Sequence, residues 1–563
     1  MPESGQGMAA RPTEQFEYIV VGAGSAGCVV AARLSEDPGT SVLLLEAGGK
    51  ADHLYLRMPL AFLKAMPDPR FNWTYMTEPE PHLDGRRMPM PRGRVMGGSG
   101  SINGMFAMRG HPADYDQWAQ MGARGWSYAD VLPYFRKLED SWRGESEYHG
   151  TGGPVKVRPI DSPHLLHAEM MATARNAGFD ISADLAGERP EGFARGEQTI
   201  DARGRRVSAA TAYLGPAKSR RNLEVRSGVQ VHRVVFEGKR CVGVEIEQDG
   251  ETKVIRARRE VILSGGAYNS PHLLMLSGIG PAAHLAEHGI PLVHESRGVG
   301  RNLQEHPTGS LEWWAKSKVT FLNHLRMDRI ALNSLRWALF GTGPMATQLN
   351  SCNVVIRTAE HLERPDLQIM VNPIRFDAEP WFPGIKASQE HVFWAGLVQL
   401  HPESRGWVEL KSADPRESAA VTLNIMAEEA DREQMRRSIR IARKIYNTQP
   451  MADLVGEEKT PGINVQSDEE LDAFIRATCY TAQHPTSTCA MGVGERSVVD
   501  AELRVIGVEG LRVADASVMP TVPGGNTNLP TIMIGEKAAD LIRGRSLPAA
   551  ELPPRDRAES RAA

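Results

Sequence analysis

The fold is decided by the stretch Tyr18-Ile-Val-Val-Gly22-Ala-Gly24-Ser25-Ala26-Gly27, which Ser41-Val-Leu-Leu-Leu-Glu46-Ala47 follows. The first apolar run predicts a strand, the glycines a tight turn, and residues 25–34 a helix. The second run predicts another strand, which ends in an acid. A unit of this kind holds the ADP half of a dinucleotide, because free N–H groups at the helix start bind phosphate. The unit alone does not distinguish NAD from FAD.

Each glycine of this unit has a separate physical role. Gly22 permits the turn after the strand, Gly24 lets the backbone approach a pyrophosphate, and Gly27 lets the helix pack closely on the sheet. We expect Glu46 to accept hydrogen bonds from ribose hydroxyls. The other contacts predicted in this unit are Ser25, Ala26 and Ala47. An isolated G-x-G-x-x-G is weak evidence, but the flanking apolar runs and the acid make coincidence a poor explanation.

Length and charge limit the class of protein. The chain has 563 residues, enough for two or three domains, and a formal net charge of −4 with both signs mixed along it. No basic stripe is present, so we expect no nucleic-acid partner.

Cysteine usage indicates the compartment. The five cysteines are scattered, with no C-x-x-C pair, and they are Cys28, Cys241, Cys352, Cys479 and Cys489. This pattern argues against disulfides and a metal site, and it favours a reducing, cytoplasmic location. No leader is evident at residues 1–15, and no apolar run is long enough to span a bilayer. Peripheral contact with the inner membrane stays open, and no oligomeric state is indicated.

Alternating and apolar runs predict the rest of the sheet structure. Strands are expected at 223–227, 231–236 and 242–246 as a meander, and a core strand at 260–264 leads into a helix that starts at Ser270-Pro271 and ends at Gly278. Further predicted elements are strands at 366–371, 392–398 and 511–515, and helices at 428–447 and 529–543.

Further motifs occur in a fixed order along the chain. They are Gly93-Arg94-Val95-Met-Gly97-Gly98-Ser99-Gly100-Ser-Ile102-Asn103-Gly104-Met105, Gly266-Ala-Tyr-Asn-Ser270-Pro271, Gly298-Val-Gly-Arg-Asn302-Leu-Gln-Glu-His306, His484-Pro-Thr-Ser-Thr-Cys-Ala-Met-Gly492, and Asp515-Ala516-Ser-Val-Met-Pro with Asn526-Thr527-Asn528. Together with the opening unit, this ordered set resembles the glucose–methanol–choline (GMC) family of flavin oxidoreductases from about residue 18 to 543.

The resemblance implies a fold and a division of the chain. The expected fold class is α/β, α+β overall: a Rossmann-like FAD-binding domain with a β-meander, and a substrate domain built on an antiparallel sheet with helices. The expected segments are 14–160, 212–310 and 478–546 for the FAD-binding domain, 161–211 and 311–477 for the substrate domain, and flexible tails at 1–13 and 547–563.

The resemblance also implies the FAD contacts. Besides the opening unit, they are Arg94, Val95, Gly97, Gly98, Ser99, Asn103, Gly104 and Met105 beside the flavin, Val231 at the adenine, and Gly266, Asp515, Ala516, Asn526, Thr527 and Asn528. Some family members attach FAD through a histidine just before the asparagine. Ile102 stands there in this chain, so we expect non-covalent FAD. We expect the dipole of the last helix to favour negative charge on the flavin pyrimidine.

The resemblance assigns the chemistry to His484 and Asn526. Histidine suits removal of a hydroxyl proton, because its ordinary pKa lies near neutrality. Asparagine can donate to the alkoxide oxygen and orient it. His306 and His111 are assigned structural roles, and Asn528 is a weaker catalytic candidate.

The predicted reaction is oxidation of a small-molecule alcohol to an aldehyde or ketone, with hydride transfer to flavin N5 and electrons passed to a quinone or another acceptor. An oxidase that uses O₂ and forms H₂O₂ is the main alternative, and a non-redox lyase of the hydroxynitrile type is a weaker one. Gln483, directly before His484, indicates either a polar substrate pocket or a side chain that supports the loop. Glu312, beside Trp313 and Trp314, is only a weak indication of a choline site. Trp313, Trp314, Phe393 and Trp394 are interpreted as core.

Overall fold

The computed structural model of the protein describes residues 14–350 and 352–552. The strands are β1 (Gln15–Val21), β2 (Val42–Glu46), β3 (Tyr75–Met76), β4 (Pro89–Met90), β5 (Glu139–Ser141), β6 (Val155–Pro159), β7 (Gly192–Arg195), β8 (Glu197–Gln198), β9 (Leu223–Ser227), β10 (Gln230–Glu237), β11 (Arg240–Gln248), β12 (Glu251–Leu263), β13 (Ile279–Gly280), β14 (His294–Glu295), β15 (Pro307–Ala315), β16 (Cys352–Ile356), β17 (Leu367–Asn372), β18 (Val392–Gln399), β19 (Trp407–Glu409), β20 (Ala420–Thr422), β21 (Val455–Thr460), β22 (Tyr480–Thr481) and β23 (Leu511–Val513).

The helices are α1 (Ser25–Leu34), α2 (Leu54–Arg57), α3 (Phe62–Ala65), α4 (Pro112–Gln120), α5 (Tyr128–Leu138), α6 (His167–Asn176), α7 (Gly215–Ala217), α8 (Gly266–Leu276), α9 (Ala282–Glu287), α10 (Met327–Phe340), α11 (Glu429–Tyr446), α12 (Met451–Leu454), α13 (Asp468–Thr478) and α14 (Asn528–Ile542).

A parallel sheet carries the opening motif. Its parallel strands lie in the order β23, β12, β1, β2, β9, with Tyr18 opposite both Val42 and Glu260. All five residues of β2 are buried, as expected for a strand that is covered on both faces. The structure confirms the predicted α/β fold class.

The meander is formed by β10, β11 and β12, and the prediction that 223–227 belongs to it is wrong. That segment is β9, which pairs in parallel with β2. The predicted strand 260–264 is only the end of β12, which pairs with β11 through Arg256 and with β1 from there onward. The single long strand thus joins the antiparallel and parallel parts of one sheet.

The predicted start of α8 at Ser270 is also wrong. The helix begins at Gly266, and Pro271 lies inside it. The Ser270 hydroxyl does not cap the helix; it accepts from the Gly265 N–H and donates to the Asp515 carboxylate at 2.6 Å. A tertiary partner therefore uses the hydroxyl that the sequence pattern assigns to a cap.

A second sheet is antiparallel, with the order β21, β15, β18, β17, β16, β7, and β22 also pairs with β15. Helix α11 packs on β18. Strand β15 begins at Pro307, slightly before the predicted segment boundary at 310. The division into two domains with these boundaries stays a prediction.

The last segment of the chain returns to the first sheet. Strand β23 pairs with β12, and α14 packs against α1 and α5. Residues 547–552 of the predicted tail are not free, because the Leu547 N–H donates to the Tyr134 hydroxyl and the Ala550 N–H to the Ala129 carbonyl. Residues 1–13 and 553–563 of the predicted tails lie outside the described residues.

The five cysteines are buried with free thiols. Across residues 14–350 and 352–552, none of the helices has both the length and the apolar content that crossing a bilayer requires.

Candidate active site

One cavity of about 530 Å³ brings most of the predicted site residues together. The predicted residues that line it are Gly22, Gly24, Ser25, Ala26, Glu46, Ala47, Gly98, Ser99, Asn103, Gly104, Met105, Val231, Gly266, His484, Asp515, Ala516, Asn526, Thr527 and Asn528. They come from both halves of the chain, so the cavity exists only when the C-terminal segment has closed on the first sheet.

Four predicted residues do not line the cavity, and they are Gly27, Arg94, Val95 and Gly97. A Cβ on Gly27 would lie 1.9 Å from the Gly22 carbonyl oxygen, so this glycine serves the close packing of α1. Gly97 has a φ of +88°, and a Cβ there would meet the Ser101 hydroxyl. These two glycines therefore permit close packing of the backbone and do not line the cavity.

The glycine turn fits a diphosphate. Gly22 has a φ of +98°, and a Cβ there would lie 2.5 Å from the Ser264 carbonyl oxygen. The turn ends at α1, whose first N–H groups have no side-chain cap. Gly98 is equally close to Gly24, since a Cβ on Gly98 would lie 2.8 Å from the Gly24 Cα. Backbone donors that no side chain caps therefore line this part of the cavity.

Glu46 closes the same part of the cavity. Its two carboxylate oxygens accept the N–H groups of Ala23 and Gly48, at 2.9 and 2.8 Å. Burial raises the pKa of Glu46 to about 7. Each oxygen keeps a lone pair, so the predicted acceptance of ribose hydroxyls is compatible with these bonds.

Polar groups from distant segments organise the remaining wall. The Asn103 amide oxygen accepts from the Arg206 guanidinium at 2.7 Å, and the Ser25 hydroxyl donates to Asn528 at 2.8 Å. Asp515 accepts the Gly266 N–H. The N-terminus of α14 lines the cavity through Thr527 and Asn528, so the positive end of its dipole faces the cofactor cleft.

His484 and Asn526 are in direct contact. The Asn526 Nδ2 lies 3.0 Å from the His484 Nε2, and the Asn526 Oδ1 accepts from the Gln368 amide at 3.2 Å. Strand β17 carries Gln368, so the antiparallel sheet holds the asparagine amide in one orientation. With its amide nitrogen toward the imidazole, Asn526 can only donate to the His484 ring.

The structure gives His306 a role that the sequence interpretation misses. The His306 Nδ1 lies 3.0 Å from the His484 Nδ1, and its Nε2 lies 3.1 Å from the Leu400 carbonyl oxygen. A carbonyl only accepts, so the His306 Nε2 carries the hydrogen. Burial lowers the pKa of His306 to about 3, so the ring is neutral and its Nδ1 accepts. The His484 Nδ1 must then donate.

This chain of hydrogen bonds fixes the tautomer of His484. With hydrogen on Nδ1, a neutral His484 has its lone pair on Nε2, which faces the cavity. Burial, together with His306 and Arg92, lowers the pKa of His484 well below its ordinary value. The ring is therefore neutral at pH 7 and presents a basic nitrogen where Asn526 lies.

Glu305 holds the backbone of both histidines. One carboxylate oxygen accepts the N–H of His306 at 2.8 Å and that of His484 at 2.6 Å. Burial raises the pKa of Glu305 to about 7, and the Arg92 guanidinium opposes this shift. Arg92 also donates to the Gln483 carbonyl and side chain. Gln483 therefore supports the loop and also places a polar side chain in the cavity wall. The motif that ends at His306 includes Glu305 and His306, but its spacing does not reveal that both contact His484.

Other sequence interpretations concern the second sheet and the loop before α4. Trp313, Phe393 and Trp394 are buried, which confirms their assignment to the core. Trp314 is only half-buried, with the Lys459 ammonium over its ring, so its assignment to the core is wrong. Glu312 pairs with Lys459 at 2.9 Å and does not line the cavity, so it forms no choline site there. His111 caps α4, as its structural assignment predicts.

Comparison with known proteins gives the family. The model of the GMC oxidoreductase N-terminal region matches residues 16–308, and that of the C-terminal region matches residues 402–535. The chain is a GMC oxidoreductase. The predicted membership of the GMC family is thereby confirmed, and so is the prediction that the protein is an FAD-dependent alcohol oxidoreductase.

Relatives of this GMC oxidoreductase match it over nearly their whole length. It is 45% identical over 538 residues to an oxygen-dependent choline dehydrogenase of Brucella canis, covering 94% of this chain and 96% of that protein. It is 44% identical over 538 residues to another from Sinorhizobium fredii, with the same coverage. Among solved structures, pyridoxine 4-oxidase from Mesorbium loti has a TM-score of 0.84 at 28% identity, covering 94% of this chain and 100% of that one. A formate oxidase variant from Aspergillus oryzae RIB40 has a TM-score of 0.88 at 27% identity, covering 95% and 99%.

The role of His306 is testable with two substitutions. His306→Leu removes the acceptor for the His484 Nδ1 hydrogen, and we expect reduction of bound FAD by alcohol to slow about 10²-fold, the lower end of the range for a positioned base. His306→Gln keeps an acceptor in reach and should restore much of the rate. Stopped-flow absorbance measures both. Equal loss in the two variants, or none in His306→Leu, would contradict the tautomer assignment.

Proposed function

We propose that this enzyme oxidises an alcohol with the His484 Nε2 as the base that accepts the hydroxyl proton and Asn526 as the group that orients the oxygen. The observation that carries the proposal is the tautomer chain from Leu400 through His306, which leaves a lone pair on the His484 Nε2. Geometry thus supports a base in the correct state before any substrate enters.

The two side chains have complementary tasks. The Asn526 amide nitrogen, 3.0 Å from the imidazole, is close enough for one substrate oxygen to contact both groups. The substrate oxygen replaces the hydrogen bond between Asn526 and the His484 Nε2, so that the amide donates to the oxygen while the imidazole takes its proton. The developing negative charge is stabilised by a neutral dipole and a new imidazolium. FAD, when bound, supplies the acceptor for the hydride that leaves the same carbon. Gly22, Gly24, Glu46, Asn103, Val231 and Asp515 are among the residues we expect to hold it.

His484→Ala tests this assignment. We expect FAD to stay bound and its reduction by alcohol to slow about 10²- to 10⁴-fold, because a general base is lost. In the unmodified enzyme the lowered pKa keeps the base unprotonated as pH falls through 6.5, so kcat/KM should decline only in more acid solution. His391→Ala, which alters a half-buried histidine bonded to Thr320, is the control and should keep the normal rate. Normal FAD reduction by His484→Ala would refute the role.

We also propose a substrate class, namely uncharged apolar alcohols. The side chains that support it line the cavity, and they are Phe62, Met66, Trp73, Met370, Phe376 and Val398. Among the described residues, the carboxylates that line the cavity are Glu46 and Asp515, and both accept backbone N–H groups on the dinucleotide side. Arg92, beside His484, also lines it. A quaternary ammonium would meet a cation there instead of a carboxylate.

Choline is the competing substrate, because the curated relatives are named as choline dehydrogenases. Its neutral isostere 3,3-dimethylbutan-1-ol has the same shape without the charge. We expect a kcat/KM about tenfold or more higher for the isostere, which corresponds to ~1.4 kcal/mol of charge repulsion. Met370→Glu should shift this ratio toward choline, whereas the uncharged Met370→Gln should not. A preference of the unmodified enzyme for choline would overturn the substrate class.

We propose that the electron acceptor is a quinone or a similar molecule. We also propose that the enzyme is cytoplasmic, because its free, buried cysteines fit a reducing compartment. Use of O₂ is the second candidate, favoured by the words "oxygen-dependent" and "oxidase" in the names of the relatives. After anaerobic reduction with alcohol, a soluble ubiquinone analogue should reoxidise the enzyme faster than air-saturated buffer, with little H₂O₂. Faster reoxidation by O₂ with stoichiometric H₂O₂ would favour the oxidase.

A further inference from the structure

Helix α10 presents an apolar face to solvent. The exposed fractions are 67% for Leu332, 56% for Leu335, 65% for Leu339 and 71% for Phe340. Their spacing of three and four residues places the three leucines along one side of the helix. Single exposed apolar residues are ordinary on a protein surface, but a row of them on one helix marks a surface that contacts something apolar.

The opposite side of α10 is firmly attached to the fold. Trp337 is buried, and its indole N–H donates to the Gly204 carbonyl at 2.7 Å. Trp337 packs in a cluster with Phe321, Leu322 and Leu325. Gly341 ends the helix with a φ of +67°. The exposed leucines therefore belong to a well-anchored helix and are not the result of an unpacked segment.

The charges on α10 indicate what covers this face. Arg329 and Arg336 form no ion pair with any carboxylate in the described ranges, whereas Asp328 is paired with Arg326. Arg336 is exposed, and its hydrogen-bond acceptor among residues 14–350 and 352–552 is the Thr342 hydroxyl. The helix thus combines an apolar row with two uncompensated cations, the combination that binds an anionic lipid surface. A second copy packed on the same face would bring like charges together.

We propose that α10 docks this enzyme on an anionic phospholipid bilayer. The leucines and Phe340 enter the interface between headgroups and acyl chains, and Arg329 and Arg336 lie at the lipid phosphates. The helix lies on the membrane surface and does not cross it.

The segment that contacts the start of α10 also contributes to the cavity wall. The N–H of Met327 donates to the Trp381 carbonyl, and the turn that follows Trp381 exposes 75% of Ile385. Phe376, in the same segment, is 37% exposed and also lines the cavity.

Binding is measured by co-sedimentation of the purified FAD-loaded enzyme with phosphatidylcholine vesicles that contain 30% phosphatidylglycerol, roughly the composition that anionic membranes offer. We expect binding to these vesicles, weaker binding as salt rises, and little binding to pure phosphatidylcholine. The triple variant Leu332→Ser, Leu335→Ser, Leu339→Ser should lower the partition coefficient by about tenfold or more. Arg329→Glu with Arg336→Glu should abolish the preference for anionic vesicles.

The control is a triple variant at three similarly exposed apolar side chains elsewhere, Leu292→Ser, Ile463→Ser and Val493→Ser, whose exposed fractions are 52%, 58% and 81%. It should bind like the unmodified protein. Each variant should oxidise a water-soluble alcohol at the normal rate with a soluble acceptor, so a failure of docking is separable from a failure of the proposed chemistry.

Two results would overturn the proposal. One is equal vesicle binding by the α10 and control variants. The other is a protein that ignores vesicles but is dimeric by light scattering and becomes monomeric in the α10 variant, since a second copy would then be the occupant.

Discussion

The active site depends on one continuous line of hydrogen bonds. It runs from the Leu400 carbonyl through His306, His484 and Asn526 to the amide of Gln368. Both ends of the line belong to the antiparallel sheet region, whereas Asn526 lies just before Thr527, the residue that caps α14 of the parallel-sheet half. The bonds therefore define the tautomer of the His484 ring and at the same time join the two sheets. A shift of one half relative to the other would break the line at the imidazole.

Burial keeps both histidines neutral and thereby fixes which atom donates and which accepts in each hydrogen bond of the line. Exposed histidines near neutral pH exchange tautomers and charge freely, but burial lowers the pKa of both His306 and His484. Neutral rings can each donate once and accept once, so a single carbonyl at one end orders every member. Glu305 adds a further restraint through the two backbone N–H groups rather than through the rings. Backbone and side chains of the two histidines are thus held by different partners.

Local pattern was enough to predict β1, α1, β2 and α11, because periodicity and turn residues act within a short stretch. It failed at β9 and at the start of α8. Strand β9 pairs with β2 and not with the meander, and the Ser270 hydroxyl bonds to Asp515. Both contacts are with residues far away in the chain, which a local pattern does not contain. The cavity lining at Gly22, Glu46 and His484 followed from motifs. The contact of His306 with His484 did not, since two motifs in separate segments give no information about their mutual orientation.

The late return of the chain to its first sheet has a consequence for biosynthesis. Strand β23, Asn526 and α14 leave the ribosome last, although the dinucleotide turn at Gly22 leaves it first. A polypeptide interrupted midway has a phosphate-binding loop but neither the asparagine nor the helix that completes the cleft. Incomplete translation products thus lack the means to oxidise anything, and redox competence arises only with nearly finished chains.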